Sequence, residues 1–163
     1  MVNSISTPTI EAIIGRDELR KLLTDPTFDP SDLVLISISE PLFEHYQDEA
    51  ISDLDASRFK SCIKLKFWDI EEQIGPYLPI TDEQGKQLQT FILANLTSHF
   101  LVQCRAGVSR SAGVAKAIEC IKFFGIGDEA KFNYQTSFSS EIDTHSRYHP
   151  NLKVFDTIVK DYS

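Results

Sequence analysis

The chain has 163 residues, 42% hydrophobic and 25% charged, with 24 acidic residues against 16 basic ones and a net charge of −8. That length buries about two-thirds of the surface an unfolded chain exposes, enough for one sizeable core, and the composition is that of a globular protein rather than a disordered one. The acidic balance argues against a nucleic-acid or anionic-membrane partner, and no apolar run approaches the ~18 residues a membrane span needs.

The opening, Met1 to Ile5, lacks the basic start and long apolar stretch of a secretory signal. Three cysteines, Cys62, Cys104 and Cys120, form an odd set with no metal-ligand spacing, which predicts reduced thiols in a cytoplasmic protein. Arg16 to Leu23 predicts a short helix with Leu19, Leu22 and Leu23 on one face. Asp25-Pro26 and Asp29-Pro30 bracket a turn, and Leu33 to Ile38 reads as a buried strand ended by Ser39-Glu40-Pro41. Residues 42–60 read as loop with one short helix at most, their carboxylates solvated. Cys62 to Phe67 is the next strand, running into the acidic stretch Trp68-Asp69-Ile70-Glu71-Glu72. Pro76, Pro79 and Ile80 form an extended connection, and Thr81 with Gln84 makes a capping box. The helix it opens, Glu83 to Leu96, is expected to bury Leu88, Phe91, Ile92 and either Asn95 or Leu96. His99 to Gln103 is a strand, and Ala112 to Phe124 a helix.

That last helix presents Val114, Ala115, Ile118 and Ile121 at core spacing, with Lys116, Glu119 and Lys122 turned elsewhere. Small residues, Ala112, Gly113 and Ala115, allow close packing on the sheet, and Gly125-Ile126-Gly127 ends the run. Asp128 to Pro150, with Asn133 and Gln135, reads as an exposed polar connection before a final helix. Cys62 and Cys120 fall in apolar patterns as packing residues, either one open to a redox partnership with Cys104. His45, His99 and His145 read as surface or satisfied core histidines. No metal constellation or cofactor motif is present.

The chemistry concentrates between the His99 strand and the helix after it, in Cys104-Arg105-Ala106-Gly107-Val108-Ser109-Arg110-Ser111. A free thiol has a pKa near 8.5, so only a few per cent is thiolate at neutral pH. A helix N-terminus, a nest of amides and the adjacent Arg110 all favour the charged form. The amides of Arg105, Ala106, Gly107, Val108, Ser109 and Arg110 suit a phosphate dianion, because the first helical turn has unused donors. Gly107 allows close approach or positive φ. The Arg110 fork holds two equatorial oxygens together, which a lysine could not do. Ser111 is placed to donate its hydroxyl to the thiolate. Set against the habit of lone cysteines to be core residues, the full pattern points to a nucleophile under an anion.

Cys104 to Ser111 resembles the Cys-x5-Arg-Ser/Thr signature of the protein tyrosine phosphatase superfamily, most like its small dual-specificity and bacterial or phage-type members. The resemblance implies an α/β fold with a central, mostly parallel sheet flanked by helices, a phosphatase-type loop between a strand and a helix, no metal, and a cysteinyl-phosphate intermediate. Gln103 stands where the family has histidine, in a position that shapes the thiolate's surroundings. Trp68-Asp69 is similar to the family's Trp-Pro-Asp loop without its proline, at a similar distance before the nucleophile. That makes Asp69 the expected general acid, with Glu71, Glu72 and Asp82 as rivals. Pro150-Asn151 is similar to an element near the end of dual-specificity phosphatases and gives Asn151 a supporting role.

These readings converge on one domain, residues 1–163, expected to be monomeric. It would hydrolyse phosphomonoesters on tyrosine or serine and threonine of proteins. No long insertion builds a deep aryl slot, which favours dual specificity. A non-protein phosphate, lipid or nucleotide, and a non-catalytic phosphate-binding module are the alternatives.

Overall fold

The apolar runs lie side by side in one sheet. The computed structural model describes residues 4–41 and 50–163. Four parallel strands, β1 (Ile10–Ile14), β2 (Leu33–Ser39), β3 (Ser61–Lys66) and β4 (His99–Gln103), stand in the order β1-β4-β2-β3. β2 is buried along its whole length, as a strand covered on both faces must be. The strand β1 has no counterpart in the sequence reading. Its five residues, Ile10-Glu11-Ala12-Ile13-Ile14, are too few to show a period, and pairing with β4 is what fixes them.

Side-chain alternation divides the core between the two faces. Ile13, Val34, Ile36, Ile38, Phe100 and Val102 meet α3 (Asp82–Ala94), α4 (Arg110–Phe123), α5 (Asp128–Ser137) and α7 (Leu152–Val159) on one side. Ala12, Ile14, Leu35 and Leu101 meet α1 (Arg16–Thr24) through Leu19, with Leu22, Leu23 and Cys62 at the margin. The Thr81 and Gln84 capping box forms as expected, each side chain accepting from the other residue's amide, at 3.1 and 3.0 Å. In α3 Leu88 and Ile92 are buried, whereas Phe91, Asn95 and Leu96 are half-buried. None of the helices in the described residues is long and apolar enough to cross a membrane.

Two expectations are corrected. Lys116 and Glu119 do not turn away from the protein: α4 is buried on all sides, and Glu119 is only 4% exposed. The reason is the second correction. Residues 128–150 are not an open connection but α5, the short helix α6 (Glu141–Thr144) and the strap leading to α7, packed over that face of α4. Glu119 Oε1 accepts from Tyr134 Oη and Ser140 Oγ, both at 2.7 Å, while Lys116 Nζ pairs with Asp143 at 2.8 Å. Between β2 and β3 a single turn of helix, α2 (Asp53–Ala56), stands where one short helix was expected. Residues 42–49, His45 included, lie outside the described residues.

Candidate active site

In a parallel sheet every strand delivers its last residue to the same edge, and such sheets bind ligands there. Here Gly15 follows β1, Glu40 follows β2, Phe67 to Asp69 follow β3, and Cys104 follows β4. The loop from Cys104 to Ser109 joins β4 to α4. Gly107 has φ +71, and a Cβ there would lie 2.4 Å from Ile14 C and Gly15 N, so loop and β1–α1 turn meet backbone to backbone. No larger residue fits.

The loop is held from outside by its carbonyls. Those of Arg105, Val108 and Ser109 each accept at 3.0 Å, from the amides of Arg16, His149 and Asn151. A trans peptide sets the next N–H opposite to each carbonyl, so the amides of Ala106, Ser109 and Arg110 turn inward. Amides 106–110 have no acceptor among the described residues. Ser109 is the N-cap residue of α4, yet its hydroxyl makes no capping bond. The helix therefore presents its positive end unfilled, a ready anion site. Buried Cys104 Sγ lies 3.1 Å from Ser111 Oγ.

Arg110 is 3% exposed. Its Nη1 donates to Phe67 O at 2.8 Å and its Nη2 to Glu40 Oε1 at 3.3 Å, while Nε is buried with no partner among the described residues. A buried unmet donor on a cation is costly and rare. Glu40, 6% exposed, also pairs through Oε2 with Arg105 Nη1 at 3.1 Å. One carboxylate thus fixes both arginines and offsets part of their charge.

Asp69 sits against this loop. Its Oδ1 accepts from Ser109 Oγ at 2.8 Å and Asn151 Nδ2 at 2.9 Å, and Asn151 Oδ1 caps α7 by accepting from Val154 N at 3.1 Å. One buried asparagine thereby ties the Asp69 loop, the Cys104 loop and a helix start together. Of its rivals, Glu71 and Glu72 are exposed, as Asp69 is, but make no bond to the Cys104 loop among the described residues, and Asp82 is in the first turn of α3, 3.4 Å from Lys160 Nζ. Gln103 occupies the strand end beneath the nucleophile. Its Oε1 accepts from Ser37 Oγ at 2.5 Å and its Nε2 donates to Cys104 O at 3.0 Å.

The other two thiols stand apart. Burial pushes the Cys62 thiol up to about 11 and that of Cys120 likewise to about 11. Cys62 belongs to the α1 face of the sheet, and Cys120 lies about 15 Å along α4 from its start. Neither is placed to form a disulfide with Cys104.

Glu40, Ser37, Glu18 and Arg147 are the contributors that sequence reading missed. Glu18 Oε1 accepts from the Gly15 amide at 3.1 Å and from Arg147 Nη2, and Oε2 accepts from Arg147 Nη1 at 3.3 Å. Burial alone would raise the Glu18 carboxyl, but these donors carry it below its ordinary value, and the same pair raises Arg147. The strap carrying His149 and Asn151 is thus anchored to α1. Glu18 alone left a trace in the sequence, since an acid at the third helical position is a capping signal.

No protein-family model matches the chain, and no curated protein matches it. Among solved structures it is similar to the human tyrosine phosphatase-like serine/threonine/tyrosine-interacting protein. The TM-score is 0.49 with 16% sequence identity, over 95% of this chain and 91% of that one.

Proposed function

We propose that the protein is a metal-independent phosphomonoester hydrolase working through a cysteinyl phosphate. The observation that carries this reading is the unmet Nε donor of buried Arg110, set beside an open ring of amides above a thiol. A tetrahedral oxyanion would supply what all of these groups lack among the described residues.

The reaction follows from the arrangement. Thiolate Cys104 attacks phosphorus in line; an S–P bond forms as the P–O bond to the leaving group breaks. Asp69, protonated, passes its proton to the departing oxygen. Arg110 and the amides of residues 106–110, together with that of Arg105, hold the three equatorial oxygens. Such preorganised donors usually supply the largest part of the rate. Water then attacks phosphorus, giving its proton to the Asp69 carboxylate. The S–P bond breaks, and Ser111 donates its hydroxyl to the sulfur that leaves. Two easier steps replace one hard displacement. The products are an alcohol or phenol and inorganic phosphate.

Protein phosphotyrosine, phosphoserine or phosphothreonine is the substrate class we assign. The test is hydrolysis of p-nitrophenyl phosphate in the presence of a chelator. Turnover should be inhibited by vanadate and abolished in Cys104→Ser, with the substituted protein still folded. Binding of phosphate without turnover would leave a phosphate-binding module instead.

A further inference from the structure

Beyond Asp69 the same loop carries a short stiff projection that the chemistry above does not use. Ile74 and Tyr77 exchange both backbone hydrogen bonds at 3.0 Å around Gly75, whose φ is +57, and Gln73 Nε2 closes on Gly75 O at 3.0 Å. The base is fastened to the residue preceding Asp69: Trp68 N donates to Leu78 O at 3.1 Å, and the Trp68 and Tyr77 rings meet edge to face at 4.9 Å. On this turn Ile74 is 56% and Leu78 47% exposed. Exposed apolar side chains on a turn whose backbone is already fixed offer contact surface at little further ordering cost.

We propose that this turn docks the polypeptide that carries the phosphate, by seating an apolar residue a few positions from the phosphorylated side chain on Ile74 and Leu78. The inference rests on the phosphatase reading and narrows it to protein substrates. Asp69 Oδ1 is 2.8 Å from the cradle hydroxyl of Ser109. Five residues of chain cannot place Ile74 more than about 17 Å beyond it. An extended peptide covers that span in about five residues. Exposed Glu71 and Glu72 lie between, so acidic residues on that flank are repelled and basic ones are favoured. The same two carboxylates, on a chain of net charge −8, argue against a lipid surface as the occupant. A free aryl phosphate fills the cradle without touching the turn.

The test compares p-nitrophenyl phosphate with two sets of phosphotyrosyl peptides, matched except for leucine or serine at the third to fifth positions on either side. Wild type should prefer the leucine peptides about tenfold in kcat/KM. Ile74→Ser and Leu78→Ser should each erase most of that preference and leave p-nitrophenyl phosphate turnover unchanged, which also reports folding. Binding of the same peptides to Cys104→Ser separates the two readings. If wild type fails on p-nitrophenyl phosphate, the phosphatase reading falls, while the leucine preference in binding still judges the turn. Equal handling of both peptides, or a preference that survives both substitutions, overturns the docking surface. So does a wild-type dimer in sedimentation that either substitution dissociates, since a second copy would then be the occupant.

Discussion

Cys104 differs from the other two thiols in what its sulfur meets. Cys62 and Cys120, both held up to about 11 by burial, are ionised at pH 7 in roughly one molecule in 10⁴. Cys104 has a hydroxyl at 3.1 Å and the open start of α4 above it. Iodoacetate at neutral pH should therefore alkylate Cys104 first, and vanadate should protect it; peptide mass spectrometry showing Cys62 or Cys120 modified earlier would contradict this. Asp69 makes a second prediction. Both of its bonds fall on Oδ1, which leaves Oδ2 to carry the proton. Asp69→Asn should lower kcat by about 10²-fold or more on an alkyl phosphate, whose leaving oxygen needs that proton, and far less on p-nitrophenyl phosphate. That Cys104, Arg110 and Asp69 gather around one loop was legible because each belongs to a short pattern with its own spacing. Glu40 and Ser37 were not: they meet Arg110 and Gln103 from 70 and 66 residues away, and a lone acid or serine at a strand end announces no partner.

Among the elements, α4 has two tasks: its first turn opens onto the Cys104 loop and its last turns hold the core. The apolar spacing of Val114, Ala115, Ile118 and Ile121 revealed one buried face, and β4 and the α3 capping box were equally legible from local pattern. What the pattern hid was the opposite face, because a lysine and a glutamate read as solvated unless a later element covers them. That element, α5, buries only Ala130 and Tyr134, one turn apart, too thin a stripe to stand out. The cover has an electrostatic consequence. Burial raises the Glu119 carboxyl above its ordinary value, against the opposing bonds from Tyr134 and Ser140. A folded-state pKa above the unfolded one favours the protonated form. Glu119 therefore contributes most at low pH, and that contribution is lost as pH rises from the unfolded value through the raised one. Glu119→Gln keeps a carbonyl oxygen to accept from Tyr134 and Ser140 but cannot ionise. Its stability relative to wild type should rise as the pH is raised from about 4, the ordinary carboxylate range, as read from urea midpoints. A parallel pH dependence in the two proteins would show that the cover does not strain the charge.

Across the whole molecule, the distribution of charge would decide how a phosphate reaches the proposed site. Of the six arginines, Arg16, Arg20, Arg105, Arg110 and Arg147 lie in the Cys104 loop, in α1 beside it or in the strap around it, and only Arg58 lies elsewhere. This gathering does not make a strongly positive mouth. Glu40 takes up Arg105 and Arg110, Glu18 takes up Arg147, and Asp17 stands 3.8 Å from Arg20. The amides and the Arg110 fork attract over a few ångströms, whereas the net charge of −8 acts over the screening length. That length is about 30 Å at 0.01 M salt and about 10 Å at 0.1 M. A small dianion is therefore repelled at long range and captured only at contact. Raising the salt across that interval should increase kcat/KM for p-nitrophenyl phosphate about twofold, because it screens the body more than the cradle. A phosphopeptide with flanking arginines and a net positive charge should behave in the opposite sense, drawn in by the same field and slowed as salt hides it. Parallel salt dependence for the two substrates would mean that the far field plays no part in choosing between a bare phosphate and a phosphorylated chain.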